Sequence, residues 1–299
     1  MASNVKMLNE IKFATRQRLQ FIEVMAYYTG MVSRSMLAKA YGISDPAATK
    51  DIKLYNDLAP TNLEYNPSLF SFVPTASFDE VFADLSPQSV LAMFAQNLLT
   101  IDNPSGDEPI YGISVEDLPL PARLPDKAVL AEIIRAMKGG TQLRVSYHSL
   151  TQRDADENSR VIEPHALVNT GLRWHVRAYN HDSYDFRDFV LSRFTFAQQL
   201  SEPAESEQNY DDAWIETVKI KLKAHPGLNE KQRKALSYDY DMQEGEGEIE
   251  IEVRGALVGY VLQQLKVDTT ADFSLNPNAH QLVVTNREEV ELFANWAFL

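Results

Sequence analysis

Residues Val32–Leu58, VSRSMLAKAYGISDPAATKDIKLYNDL, decide the fold of the amino-terminal third of this chain. Met36, Leu37, Ala40 and Tyr41 recur at helical spacing. Gly42 then ends that helix, because a residue without a Cβ takes the left-handed conformation at no steric cost. Asp45-Pro46 opens a second helix: a short carboxylate caps free N–H groups, and proline in the first turn loses no hydrogen bond. Ala48, Ile52, Tyr55 and Ala59 share one face of it, and Pro46, Lys50, Lys53 and Asp57 the other, with Ala47 and Thr49 on the flanks. Downstream, residues 63–73 read as two short strands around an Asn66-Pro67-Ser68 turn, with Tyr65, Phe70 and Phe72 too apolar for a free loop. Helix, glycine turn, helix, hairpin is the order of a winged helix-turn-helix, whose second helix enters a major groove.

Working outward, residues 1–28 form the first helix of that unit, with Leu19, Ile22, Met25 and Ala26 inward. Arg16 and Arg18 point outward, either to phosphate or simply to solvent. In this geometry Ala47, Thr49, Lys50 and Lys53 lie nearest base edges, while Ser33, Arg34, Asn66 and Ser68 are candidates for fixing phosphates. The net charge of -14 argues against a nucleic-acid partner until its distribution is read. Residues 1–75 carry 8 Lys/Arg against 6 Asp/Glu, a balance of +2, and the remainder carries 20 against 36, a balance of -16. An acidic body suppresses loose binding and leaves contact to one small face.

Residues 77–99 return to helical period and break at Ser86-Pro87 into two connecting helices. Proline density across 101–125 marks a semi-rigid linker. Residues 126–138 form a capped helix, and from Leu143 the period becomes two. Strands are expected at 143–148, 161–168, 172–179 and 189–196, and strands this short after one helix suit a small Sm/SH3-like barrel. Arg173, His175 and Arg177 share a face of one strand by alternation, and Arg187, Phe189, Leu191 and Arg193 a face of the next. Two readings of these cations stand side by side. Either they converge on a pocket for an anion, with Ser146 beside it and Trp174 or Tyr147 as a stacking surface, or they pair with Asp154, Asp156, Asp182, Asp185 and Asp188 in nearby loops.

Gly171-Leu-Arg-Trp-His-Val-Arg-Ala-Tyr179, followed by Arg187-Asp-Phe-Val-Leu-Ser-Arg-Phe194, resembles the WYL domain of bacterial transcriptional regulators. Trp174 keeps the family's tryptophan, with His175 and Val176 in place of tyrosine and leucine. Arg187, Phe189, Leu191 and Arg193 match its second motif, with Ser192 where the family has an acid and Phe194 where it has isoleucine. The resemblance covers nearly the whole chain and is nearest to the phage-defence-associated subgroup, of the BrxR and CapW kind. It implies a homodimeric repressor of a defence operon (BREX in the BrxR case) that binds a palindromic operator in double-stranded DNA. It also implies a nucleotide, nucleic-acid or other anionic ligand at the WYL domain, at Ser146, Tyr147, Arg173, Trp174, His175, Arg177, Arg187 and Arg193.

Residues 213–299 alternate strand and helix: strands at 217–222, 247–253 and 281–285, helices at 229–237, 255–265 and 287–298. That order suits a ferredoxin-like α/β extension. The expected architecture is therefore α+β and multidomain: 1–100 winged helix with connecting helices, 101–125 linker, 126–203 WYL domain, 204–299 extension and dimerisation domain. The chain has no cysteine, so disulfides and thiol catalysis are excluded. No phosphate loop, dinucleotide fingerprint or zinc-protease motif appears, so no cofactor or metal is expected. His148, His165 and His175 form the one histidine cluster, with no nucleophile beside it, and a non-enzymatic protein is favoured over a phosphate-handling enzyme. No apolar run spans a bilayer and no signal peptide is recognisable, so a cytoplasmic protein is expected. An unregulated nucleic-acid-binding module is the other reading of the same features.

Overall fold

A computed structural model describes residues 11–96, 110–116, 118–150, 159–242 and 247–298. The chain divides into two compact units, 1–120 and 121–299.

In the first unit, α1 (Phe13–Thr29), α2 (Arg34–Tyr41) and α3 (Asp45–Leu58) enclose a core of Leu19, Phe21, Ile22, Leu37, Ala48, Ile52 and Tyr55. Gly42 ends α2 at φ 61°. Ser44 rather than Asp45 stands at the N-cap of α3, with Pro46 in the first turn as expected. β1 (Leu63–Asn66) and β2 (Ser71–Pro74) pair antiparallel, with Tyr65 opposite Phe72. Val32 adds a single bridge beside β2 by exchanging both backbone hydrogen bonds with Phe72, at 2.9 and 2.8 Å. Arg18 is not a phosphate ligand here: its guanidinium forks onto Asp51 of α3 at 2.7 and 3.3 Å, tying α1 to α3.

Of the two helices expected across 77–99, only α4 (Pro87–Gln96) forms, and residues 97–99 lie outside the described residues. The stretch before it is irregular for an identifiable reason. The carboxylate of Glu23, fully buried on α1, accepts the backbone N–H groups of Val81 (2.9 Å), Phe82 (2.7 Å) and Ala83 (2.7 Å). Donors committed to an acid some 60 residues upstream are not available to an i→i−4 ladder. Tyr111, in the segment read as linker, stacks on Phe21 at 5.3 Å. The proline-rich 103–109 stretch lies outside the described residues.

In the second unit, α5 (Lys127–Gly139) lays Val129, Ile133 and Ala136 against a five-stranded antiparallel sheet. Its strands are β3 (Thr141–Tyr147), β4 (Ser159–Asn169), β5 (Trp174–Asn180), β6 (Asp185–Val190) and β7 (Phe194–Pro203), in the order β6-β5-β4-β3-β7. The single strand expected at 189–196 is two: a 3-10 turn over Leu191–Arg193 separates β6 from β7. The Tyr147 hydroxyl steadies that turn by accepting the Val190 N–H at 3.0 Å. Among the described residues β6 and β7 are not paired, so the sheet is open rather than the closed barrel expected.

After a four-residue helix, α6 (Asp212–Ile215), β8 (Thr217–Ala224) lies between β9 (Glu248–Arg254) and β10 (Leu282–Val284). The helices α7 (Glu230–Asp239), α8 (Val258–Gln264) and α9 (Arg287–Ala294) complete this part. Among the described residues this sheet has three strands, and the expected ferredoxin-like arrangement is not complete. The acid run on β9 faces lysines on β8: Lys219 and Lys221 pair with Glu250, and Lys223 with Glu248. Exposed pairs of this kind are screened by solvent and add little to stability. No helix among the described residues is long and apolar enough to cross a membrane.

Candidate nucleic-acid interface and ligand site

The sequence makes α3 amphipathic, and burial of Ala48, Asp51, Ile52 and Tyr55 turns the opposite side outward. Thr49, Lys50 and Lys53 are exposed on that side, Ala47 is half-buried, and Arg34 is exposed at the start of α2. Among the described residues no acid pairs with Arg34, Lys50 or Lys53. Ser68 is exposed on the wing turn. Two of the expected phosphate ligands are occupied instead by the fold. Ser33 is buried and caps α2, its hydroxyl accepting the Met36 N–H at 3.2 Å. The Asn66 side-chain oxygen accepts from the N–H groups of Ser68 (3.0 Å) and Leu69 (3.4 Å), closing the turn itself. The wing aromatics are more exposed than their apolar character suggests: Tyr65 is 52% and Phe70 80% exposed. Together with Phe72 they line a groove of about 420 Å³, which Ile52 and Lys53 share. Sequence reading did not place these aromatics at the interface, although large apolar residues beside a tight turn were the available signal.

In the second unit a hollow of about 570 Å³ is lined by Arg160, Arg173, Arg187 and Arg193, with Asp182 and Asp188 on its wall. Arg187 reaches it from β6 and Arg193 from the 3-10 turn itself, not by alternation along one strand. Of the expected ligand residues, Tyr147, Arg173, Arg187 and Arg193 line the hollow, while Ser146, Trp174, His175 and Arg177 do not. Tyr147 offers no free face to a base: its ring meets Phe189 and Phe194 edge-on, with the Arg160 guanidinium 5.5 Å from its centroid. Ser146 is half-buried inside β3, between β4 and β7. Trp174 is 38% exposed, away from the hollow. Arg160 was missed by sequence reading, since it precedes the apolar run of β4 by one residue and carries no motif.

Some of these cations lie near acids and also line the hollow. Arg160 approaches Asp182 at 3.9 Å and Arg187 approaches Asp185 at 3.5 Å, yet both arginines line the hollow. Asp154 and Asp156 lie outside the described residues. Arg177 is fully engaged behind the hollow. It forks onto Asp211 at 2.7 and 2.9 Å, and lies 3.5 Å from Asp188. His175 is 1% exposed, its ring 4.9 Å from that of Tyr260 on α8. Burial, and then the charges of Arg173 and Arg193, push its pKa down to about 4, so it is neutral at physiological pH. The Tyr260 hydroxyl donates to Asp188 at 3.1 Å, and its ring lies 5.3 Å from Trp296. Among the described residues no group of three acids or histidines could hold a metal.

Burial opposes ionisation of Asp211, but hydrogen bonds from Arg177 and His165 outweigh it and hold the carboxyl at about 2. A depressed carboxyl contributes stability that is fully present above the unfolded pKa near 4. That contribution is lost as pH falls through the folded value near 2. Asp211→Asn is therefore expected to cost roughly 3 kcal/mol at neutral pH by stranding a buried guanidinium. It should also flatten the acid limb of a stability–pH curve between about pH 4 and 2, measured by urea denaturation.

Three family descriptions match this chain in order. "BrxR transcriptional regulator winged helix-turn-helix domain" matches residues 14–96, "WYL domain" residues 128–199, and "BrxR transcriptional regulator, C-terminal dimerization domain" residues 217–290. The chain is 36% identical over 279 residues to the DNA-binding transcriptional repressor CapW of Escherichia coli (strain KTE188), covering 93% of this chain and 91% of that one. It is 35% identical over 285 residues to the CapW of Pseudomonas aeruginosa, covering 94% and 92%. It is 32% identical over 288 residues to that of Stenotrophomonas maltophilia, covering 95% and 93%. With likeness of this extent along nearly the full length of its relatives, and with all three modules in order, this chain belongs to the BrxR/CapW family of WYL-domain transcriptional regulators.

Proposed function

We propose that this protein is a homodimeric, sequence-specific repressor of a phage-defence operon, and that an anionic ligand at its WYL domain relieves repression. The observation that carries the DNA reading is α3: Thr49, Lys50 and Lys53 exposed, with no acid among the described residues paired to either lysine or to Arg34 beside them. Lys50, Lys53 and Thr49 address base edges, Ala47 touches a thymine methyl, and Arg34 and Ser68 hold phosphates. Residues 1–100 form the DNA-binding part, 101–125 the linker, 126–203 the WYL domain and 204–299 the dimerisation domain. Such a protein works in the cytoplasm, where its operator is. Selection from a random-sequence duplex library by the purified protein tests this. The expected product is a two-fold symmetric site with half-sites about 34 Å or a multiple apart. Recovery of no preferred sequence would leave an unregulated nucleic-acid-binding module.

The ligand reading is supported by four guanidinium groups around one hollow, a geometry that suits phosphate oxygens. Asp188 lies on the wall of that hollow and accepts from Tyr260 of α8, so an incoming anion meets a carboxylate already bonded to the C-terminal part. A ligand switches such a protein only by binding its two states unequally. Titration calorimetry with pyrophosphate and with a short oligothymidylate is expected to give heat with the parent and none with Arg173→Glu/Arg193→Glu. Equal heats from both proteins would remove the hollow from ligand recognition.

A further inference from the structure

Phe70, like Tyr184 of the second unit, is an exposed aromatic that the fold does not account for, and it is the one of the pair that lines the groove beside α3. Its backbone sits at φ 49°, in the left-handed region, where an L side chain costs roughly 1–2 kcal/mol. Its ring is 80% exposed. Neither backbone preference nor burial favours phenylalanine there, and strain of this kind persists where something outside the fold uses it. The turn that presents it is fixed by the Asn66 side chain. With Tyr65 and Phe72 it makes up the aromatic part of the groove lining, which Lys53 and Arg34 share. An aromatic lining beside unpaired cations fits a partner whose surface alternates carbon and anion, as the deoxyribose–phosphate strand of a duplex does.

We infer that the wing grips DNA by its sugars. Phe70 enters the minor groove next to the major-groove segment that α3 occupies, its ring against deoxyribose carbons, while Arg34 takes the flanking phosphate. The inference rests on α3 being the reading helix.

Phe70→Gly in the full chain tests it, because glycine is the favoured residue at that φ and the thermal midpoint should hold or rise. The probe is a duplex selected from a random library by the parent protein, with Kd read by fluorescence anisotropy from about 50 to 200 mM salt. Phe70→Gly is expected to raise Kd about tenfold or more at every salt concentration with the log–log slope unchanged, since an apolar contact releases no counterion. Arg34→Ala should instead flatten the slope by about one. A Kd within twofold of the parent overturns the inference, as does a loss accompanied by a flattened slope. If Phe70→Gly binds normally while Lys50→Glu/Lys53→Glu does not, the wing contact fails and the reading helix stands. If both bind normally, the reading helix fails too. Octanoate that binds the parent but not Phe70→Gly, with duplex affinity unchanged, would assign the groove to a small apolar acid and also overturn the inference.

Discussion

Exchanging Lys50 and Lys53 together for glutamate is expected to lower affinity for the selected duplex at least about a hundredfold at moderate salt. Each lysine that meets the duplex releases condensed counterions, and each contributes about 0.9 to the slope of log affinity against log salt. Removing both should flatten that slope by about two, and the two added carboxylates repel phosphate besides. The fold should not suffer. Both side chains are exposed and hold no ion pair among the described residues, and exposed substitutions of this sort change stability by about 0.5 kcal/mol or less each. Anisotropy titrations at several salt concentrations, with circular dichroism as the control, provide the check. Affinity within threefold of the parent would remove α3 from the interface.

The second large effect concerns stability. Glu23→Ala is expected to destabilise the first unit by roughly 3–5 kcal/mol, a large part of the stability of an ordinary domain. The carboxylate serves three consecutive backbone N–H groups at Val81, Phe82 and Ala83. It also accepts the Tyr55 hydroxyl at 3.1 Å, and that hydroxyl in turn accepts from the Asn62 amide at 2.9 Å. Burial pushes the Glu23 carboxyl upward and the backbone donors pull it back, so its removal strands several buried donors at once. Glu23→Gln keeps the volume but aims an amide N–H toward other donors, and should cost less than alanine yet still be measurable. The three tryptophans, Trp174, Trp214 and Trp296, all lie in the second unit. The expected signature is an earlier urea transition in circular dichroism with the tryptophan fluorescence transition unmoved. Coincident shifts of both would show that Glu23 serves more than its own unit.

What was legible in the sequence was whatever local physics decides. The period of Met36–Tyr41, Gly42 and Pro46 located α2, the turn and α3, because helical amphipathicity and backbone freedom act over a few residues. The alternation at 217–222 and 247–253 located β8 and β9 for the same reason. The failures lie where a distant partner overrides local preference. Residues 77–86 have helical period, but the N–H groups of Val81, Phe82 and Ala83 are taken by Glu23. Arg177 is itself one of the expected ligand residues on that strand, yet Asp211, 34 residues away, claims it. The Leu191–Arg193 turn breaks the alternation that put four residues on one face, although two arginines reach the hollow by another route. Phe70 was read as too apolar to be free, and the structure leaves it in solvent.

Tyr260 has a consequence beyond its hydrogen bond to Asp188. Its ring is sandwiched between His175 of the WYL sheet and Trp296 near the carboxyl terminus. A Cβ added at the neighbouring Gly259 would run into the Trp296 ring, so the backbone beside Tyr260 has no slack. A push on one ring therefore cannot be absorbed where it arises. The three rings and the glycine beside them thus key one strand of the WYL sheet into the packing of α8 and the carboxyl-terminal turn.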